Sequence, residues 1–124
     1  MVHDELLEHF KYPCNKKEIQ NPDFAANSEN PSCGDKISIQ GIISGDKIVE
    51  IGFGGSGCVI SQSTASILTE YCKNKTIDEL LNINKDNILS LIKLDLGPNR
   101  LKCALLCLQV LHEALINFSN KKNK

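Results

Sequence analysis

The feature that most constrains the fold is a change of hydrophobic period on the two sides of a glycine-rich stretch, residues 52–58. Before it, apolar and polar residues alternate from Ile37 onward, and Ser44-Gly45-Asp46 separates two such runs, which predicts a β-hairpin with one buried face. After it, from Ser61, apolar residues recur at helical spacing. The chain therefore passes from a strand into a helix at the glycines, and Cys58 lies at that junction.

Helical patterns flank this strand-to-helix unit. We expect a short helix over His3–Phe10, followed by an irregular arm over residues 12–30 in which residues 23–27 form an edge strand. Short helices are expected from Thr76-Ile-Asp-Glu79 to Leu81 and over Lys85–Lys93, before a last helix over Asn99–Phe118. The last helix is expected to bury Leu101, Ala104, Leu105, Leu108, Leu111 and Leu115. The patterns thus predict a β-hairpin, an edge strand in the arm and several helices.

Length and charge exclude some classes of function. A chain of 124 residues, 41% apolar and 23% charged, predicts one domain over residues 1–124. A formal net charge of -1 offers no strong field for nucleic acid. No apolar run approaches the roughly 20 residues that span a bilayer, and the N-terminus lacks the pattern of a signal peptide. We expect no membrane partner, and a location in the cytoplasm of a bacterium or in an organelle matrix after removal of a targeting segment.

Six cysteines stand at positions 14, 33, 58, 72, 103 and 107. They would suffice for three disulfides in a secreted protein, but the chain is long enough to fold without them and shows no export signal. We therefore expect reduced thiols, some of them metal ligands or nucleophiles. Because the two close cysteine pairs of a zinc ribbon are missing, any site must be assembled from distant segments.

Four residues form the predicted site. Cys33 and Asp35 are two positions apart, so on an extended backbone both side chains point to the same face. Cys58 is expected at a helix N-terminus, where unpaired backbone N–H groups favour the thiolate. Cys103 follows Lys102 near the start of the last helix; the alternative is that it is a small core residue. Three thiols and a carboxylate suit zinc or an iron-sulfur cluster, and the weaker aspartate ligand indicates a site that releases its metal.

The other candidates are weaker. Cys107 is expected to pack in the core, Cys14 and Cys72 to be structural or adventitious, and His9 and His112 to be surface or hydrogen-bonded residues. The glycine-rich stretch also resembles a phosphate cradle, but no lysine follows it as in a P-loop, so nucleotide binding is not favoured.

The motifs together resemble the iron-sulfur cluster assembly scaffold family, NifU N-terminal-like, of the IscU and SufU types. They are Cys33-Gly-Asp35 after an Asn-Pro turn, Gly55-Ser-Gly-Cys58 before a Ser/Thr-rich helix, and Leu101-Lys-Cys103-Ala. The resemblance implies a SufE/NifU-like α+β fold, in which a small antiparallel sheet of about three strands packs against several helices. It implies an exposed site of Cys33, Asp35, Cys58 and Cys103. It also implies sulfur from a pyridoxal-phosphate cysteine desulfurase, with Cys103 as candidate persulfide acceptor, and transfer of a 2Fe-2S cluster to recipient apoproteins.

Two departures leave the subtype open. Lys102 precedes the third cysteine, as in SufU-type members, whereas IscU-type members have histidine there; yet the short Cys58-to-Cys103 spacing resembles the IscU type. The segment that an Hsp70-type chaperone recognises in IscU-type scaffolds is matched only by Leu96-Gly-Pro-Asn-Arg100, so dependence on that chaperone stays open. The alternatives to a scaffold are a zinc-dependent sulfurtransferase that accepts persulfide from the desulfurase, and a small structural zinc domain.

Overall fold

The computed structural model describes residues 2–31, 34–93 and 96–122. Its elements in chain order are α1 (Val2–Lys11), β1 (Phe24–Asn30), β2 (Asp35–Ser44), β3 (Lys47–Ser56), α2 (Val59–Cys72), α3 (Ile77–Leu81), α4 (Lys85–Ile92) and α5 (Pro98–Lys122). The strands form one antiparallel sheet in the order β1-β2-β3. The predicted α+β class with a three-stranded sheet is confirmed.

The β2–β3 hairpin is the predicted one, and it extends farther in both directions than the hydrophobic alternation alone indicated. Gly45 takes the left-handed conformation (φ 66°) that the tight turn requires. Along β2, buried residues alternate with more exposed ones, so Asp35, Ile37 and Ile39 share the core face. The hairpin therefore carries Asp35 at the buried end of an otherwise apolar row.

Strand β1 begins one residue after the start of the predicted edge strand (residues 23–27) and ends three residues beyond its end. It pairs with β2 over seven consecutive positions, from Phe24↔Gly41 to Asn30↔Asp35. The low β-propensity of Ala-Ala-Asn-Ser-Glu-Asn hid this length, because cross-strand pairing rather than intrinsic preference holds the strand. The arm before it is ordered, since the Phe53 N–H donates to the Asn15 carbonyl at 2.9 Å.

Helix α5 packs against β1, β2 and α2. Because its contacts lie on two sides, its buried stripe is wider than expected, and the prediction was wrong for Leu101 and Leu105, which are only partly buried. Leu106, Val110 and Ala114, which the prediction omitted, are buried, as is the predicted site residue Cys103. Cys107 is buried in the core, as predicted. Helix α5 is long and apolar enough to cross a membrane by length and composition, but half of its most apolar window is buried within the domain, as in a core helix.

Helix α3 begins at its predicted start signal, and α4 begins at a cap that was not predicted. The Thr76 side chain accepts a hydrogen bond from the Glu79 N–H at 3.1 Å at the start of α3. Asn84 and Asn87 form a reciprocal capping box at the start of α4. Tyr71, near the end of α2, is 41% exposed, and the Lys75 ammonium lies 4.9 Å from its ring centre.

Candidate metal centre

Asp35 is the most deeply buried polar residue of the site, with no exposed surface. It is the first residue of β2, and strand alternation turns its side chain toward the core with Ile37. A buried carboxyl group requires hydrogen-bond partners, because its desolvation is otherwise costly. Its Oδ1 atom accepts the backbone N–H of Cys58 at 2.9 Å. This bond joins the start of β2 to the start of α2.

Gly57 makes this approach possible. Its φ of 145° is open only to glycine, and a Cβ at this position would overlap Oδ1 of Asp35 and lie 2.9 Å from its Cα. Gly55, with φ 127°, is similarly close to Lys36, whose carbonyl carbon would lie 2.7 Å from an added Cβ. The two glycines therefore let β3 and the β3–α2 junction close onto β2. This explains them without a bound phosphate.

Cys58 caps helix α2, as the strand-to-helix pattern predicted. It has extended backbone angles (φ -73°, ψ 165°), and its Sγ accepts the Ser61 N–H at 3.4 Å. The same Sγ lies 3.8 Å from Oδ2 of Asp35. Cys58 is exposed, so an incoming molecule can reach its thiol directly. The positive end of the helix favours negative charge on groups held here.

Cys103 approaches from the second turn of α5. Its Sγ lies 3.5 Å from the Asn99 carbonyl oxygen, and the residue is only 4% exposed. Around it is a small apolar cluster that includes Leu6, Ile60 and Ile92. This position agrees with the reading of Cys103 as a small core residue. Lys102 beside it is exposed.

The ligand atoms of Asp35, Cys58 and Cys103 all lie within 4.8 Å of one another. Three separate segments supply them: the start of β2, the cap of α2 and the first turns of α5. Two thiols and a carboxyl oxygen at this separation fit a soft, four-coordinate metal such as zinc or iron and leave one ligand to be added. The predicted fourth ligand, Cys33, lies outside the described residues.

The other described cysteines lie outside this group. The Cys14 thiol donates to Glu70 at 3.1 Å, and burial together with that carboxylate raises the pKa of Cys14. Burial also raises the pKa of Cys72, and it raises the pKa of Cys107 to about 12. Buried thiols with raised pKa values are poor nucleophiles. Cys72 and Cys107 are therefore buried structural residues, as predicted, whereas Cys14 is half-buried.

The two described histidine side chains have partners elsewhere. His9 Nδ1 is 2.7 Å from the Ser66 hydroxyl, and His112 Nε2 is 2.8 Å from the Leu80 carbonyl. Both are hydrogen-bonded residues, as the sequence predicted.

Sequence reasoning missed two residues behind Cys58. The Ser61 hydroxyl donates to the Cys58 carbonyl at 3.3 Å and accepts from Gln62 Nε2 at 3.3 Å. Gln62 is 5% exposed, and its Oε1 has no hydrogen-bond partner within the described part of the chain. The only available signal was the position of both residues in the first turn after an expected cap.

Comparison with known proteins agrees with this arrangement. Residues 1–124 match the profile of the NifU-like N terminal domain. The chain is 31% identical over 124 residues to "Iron-sulfur cluster assembly scaffold protein IscU 1" of Archaeoglobus fulgidus, covering 100% of this chain and 80% of that protein. It is 35% identical over 80 residues to "Zinc-dependent sulfurtransferase SufU" of Bacillus subtilis, covering 64% of this chain and 54% of that protein.

A solved structure shows the same fold. The crystal structure of a candidate iron-sulfur cluster assembly scaffold protein for the SUF system from Fervidobacterium islandicum superposes with a TM-score of 0.78 at 26% identity, covering 90% of this chain and 94% of that one. The sheet order, the capping cysteine and the full-length profile match lead to one assignment: the chain belongs to the NifU-like N-terminal domain family of IscU- and SufU-type proteins.

Proposed function

We propose that the protein is a scaffold that assembles an iron-sulfur cluster and transfers it to apoproteins. The observation that carries this proposal is the convergence of Asp35, Cys58 and Cys103, whose ligand atoms lie within 4.8 Å of one another. Cys33 completes the proposed ligand set. The cluster is the cargo of this site, and we propose the 2Fe-2S type.

Accessibility suggests the order in which sulfur arrives. The proposed donor is a pyridoxal-phosphate cysteine desulfurase that carries a cysteine persulfide. A thiolate of the scaffold attacks the outer sulfur, the S–S bond breaks, and the donor leaves as a thiolate, so that the persulfide changes carrier with no external oxidant. The Cys58 thiol is exposed, whereas Cys103 is 4% exposed. Cys58 is therefore the first acceptor we propose, and Cys103, the acceptor expected from the sequence, receives sulfur once the start of α5 moves.

Asp35 is the ligand we propose to be exchanged on release. A carboxylate binds a soft metal less tightly than a thiolate does, so it is the first ligand that an incoming cysteine can displace. Its Oδ1 is already held by the Cys58 N–H at 2.9 Å, which leaves Oδ2 for the metal. The side chain is fully buried, so exchange proceeds by approach of the recipient rather than by a free swing of Asp35 toward solvent.

Anaerobic reconstitution tests the scaffold function. The protein is incubated with ferrous iron, cysteine and a desulfurase, and visible absorbance and bound iron and sulfide are measured. We expect cluster absorbance in the parent and in Cys14→Ala, the matched control outside the site, and strongly reduced loading in Cys33→Ala, Cys58→Ala and Cys103→Ala. Absence of a cluster in the parent, under conditions that load an established scaffold, would contradict the proposal.

A second function shares the same residues. The similarity to the Bacillus sulfurtransferase, together with Lys102 before the third cysteine, favours a zinc-bound persulfide carrier. The discriminating measurement is the metal content of protein purified under argon. Iron with sulfide supports the scaffold, whereas stoichiometric zinc with a strong rise in desulfurase turnover supports the carrier. A purely structural zinc domain would instead unfold on chelation, as helix content by circular dichroism would show.

We further propose that the protein works in the cytoplasm or in an organelle matrix. The thiol chemistry of Cys58 and Cys103 requires that both stay reduced, and such compartments keep thiols reduced. Use of an Hsp70-type chaperone would depend on Leu96–Arg100. Measuring cluster transfer with and without the chaperone, for the parent and for a variant that lacks this segment, would test it.

A further inference from the structure

The two edges of the sheet differ in what covers them. Along the outer edge of β3, the Phe53 N–H donates to the Asn15 carbonyl at 2.9 Å, and Lys16 forms a parallel bridge with Phe53. Farther along, the Ile48 N–H donates to the Lys75 carbonyl at 3.0 Å, and the Asn74 N–H donates to the Ile48 carbonyl at 2.8 Å. The backbone groups of this edge are therefore occupied by the arm and by the segment after α2.

The outer edge of β1 has no such cover within residues 2–31, 34–93 and 96–122. There β1 pairs only with β2, over seven positions without a bulge. It also lacks proline and lysine, two residues with which proteins block an open strand edge. In an antiparallel sheet every second residue of an edge strand directs its N–H and C=O outward. Strand β1 therefore offers a row of donors and acceptors with the spacing of an extended backbone.

The open edge leads to the metal site. Its last residue, Asn30, is the register partner of Asp35. Beyond it a groove of about 280 Å³ lies between the end of β1 and α5, lined by Asn30, Pro31, Lys102 and Leu105, among others. Lys102 directly precedes Cys103. A chain that paired with β1 and continued into this groove would contact the residue before Cys103 and lie one strand away from Asp35.

We propose that the outer edge of β1 binds an extended, cysteine-bearing segment of the recipient protein as an added strand and directs its thiolate to the cluster. This rests on the scaffold function proposed above. We assign the recipient to this edge because it must displace the weakest ligand, Asp35, which is the register partner of Asn30, whereas the first target of the sulfur donor, Cys58, caps α2. In that step a metal–sulfur bond to the recipient forms as the metal–oxygen bond to Asp35 breaks, and no electron is transferred.

Proline substitutions at neighbouring positions of β1 test the proposal. The N–H groups of Asn27 and Ser28 point to opposite edges, so one of Asn27→Pro and Ser28→Pro removes a bond to β2 and the other removes only an outward donor. Thermal unfolding shows which variant is which, since only the variant that loses a hydrogen bond to β2 is destabilised. The other is called the stable proline variant. The controls are Asn27→Ala and Ser28→Ala, which keep the N–H. The probe is the apo form of a 2Fe-2S ferredoxin.

We expect the stable proline variant to load cluster like the parent but to transfer it to apo-ferredoxin about tenfold more slowly, since an edge bond and its neighbours are lost. Both alanine controls should transfer at the parental rate. In the parent, apo-ferredoxin should slow hydrogen exchange of alternate amides in residues 24–30.

Equal transfer by the parent and the stable proline variant, with unchanged exchange in β1, would overturn the docking proposal and leave the scaffold function intact. If hydrogen exchange in residues 24–30 slowed only with the concentration of this protein, the docking proposal would be overturned, and the occupant of the edge would be a second copy of the chain. Failure of the parent to load any cluster would refute the scaffold function, and the docking proposal with it.

Discussion

Replacing Gly57 with alanine tests whether the contact between Asp35 and the cap of α2 builds the site. At Gly57 the φ of 145° costs a residue with a side chain about 1–3 kcal/mol. The added Cβ would overlap Asp35 Oδ1 and lie 3.0 Å from its Cγ, and relieving such overpacking costs about 1–3 kcal/mol more. We therefore expect Gly57→Ala to lower the free energy of unfolding by about 2–6 kcal/mol.

Two other glycines separate the causes. Gly45 has φ 66° but no atom within 4 Å of an added Cβ, so Gly45→Ala carries only the conformational cost, about 1–2 kcal/mol. Gly97 has neither a left-handed φ nor a near atom, so Gly97→Ala should be neutral or slightly stabilising. The assay is urea unfolding of the three variants, together with the dissociation constant for Co²⁺ measured from its thiolate absorption bands.

We expect only Gly57→Ala to weaken Co²⁺ binding, by at least about tenfold, because a displaced Cys58 or Asp35 no longer meets Cys103 at ligand distance. Gly45→Ala, although destabilised, should bind Co²⁺ like the parent. If Gly57→Ala lost no more stability than Gly45→Ala and kept the parental affinity, the close approach of Gly57 to Asp35 would not be what positions the ligands.

Further predictions concern the site and the buried thiols. Asp35→Ala should hold its cluster longer against air and chelator than the parent does and should transfer it more slowly, as followed by visible absorbance and acceptor maturation. Asp35→Asn should behave likewise, but its free energy of unfolding should exceed that of Asp35→Ala by about 1–3 kcal/mol, since the amide oxygen can still accept the Cys58 N–H. Faster cluster loss with unimpaired transfer would contradict this prediction. In native protein at pH 8, iodoacetamide should label Cys58 well before Cys107, and mass spectrometry that found both labelled at one rate would refute the burial argument. Because burial raises the pKa of Cys107 from an ordinary 9.0 to about 12, its contribution to stability is fully present below pH 9 and is lost as the pH rises toward 12. Urea midpoints should therefore fall over that range, and less steeply in Cys107→Ala.

Much of the architecture follows from local pattern. The alternation of Ile37 and Ile39 and the Ser44-Gly45-Asp46 turn specified the hairpin, and the change of period placed Cys58 at a helix start. These features depend on neighbours in the chain, which is why the sequence alone reveals them. Strand β1 and the wide buried face of α5 depend on partners far along the chain, so their extents were underestimated.

The site was predictable in composition but not in geometry. The resemblance named Asp35, Cys58 and Cys103 as ligands, and the structure brings their ligand atoms together. It could not reveal that Gly57 must lack a side chain to admit Asp35, since that requirement arises only when β2 and the α2 cap meet. Nor could residue type alone show that Cys103 is buried while Cys58 is exposed, because the burial of each thiol depends on how α5 and α2 pack against distant segments.

The spacing of the ligands along the chain has a consequence for unfolding. Asp35 and Cys58 are 23 residues apart, and Cys103 follows 45 positions after Cys58 (103 − 58). A metal bound to all three acts as a cross-link that closes two loops, and it removes chain entropy from the unfolded state much as a disulfide does. Loading should therefore slow hydrogen exchange in the first turns of α5, far from β2 in sequence. Release of the cluster would remove this cross-link and raise the mobility of the first turns of α5, so a partner protein could distinguish the empty site from the loaded one by the mobility of this helix end.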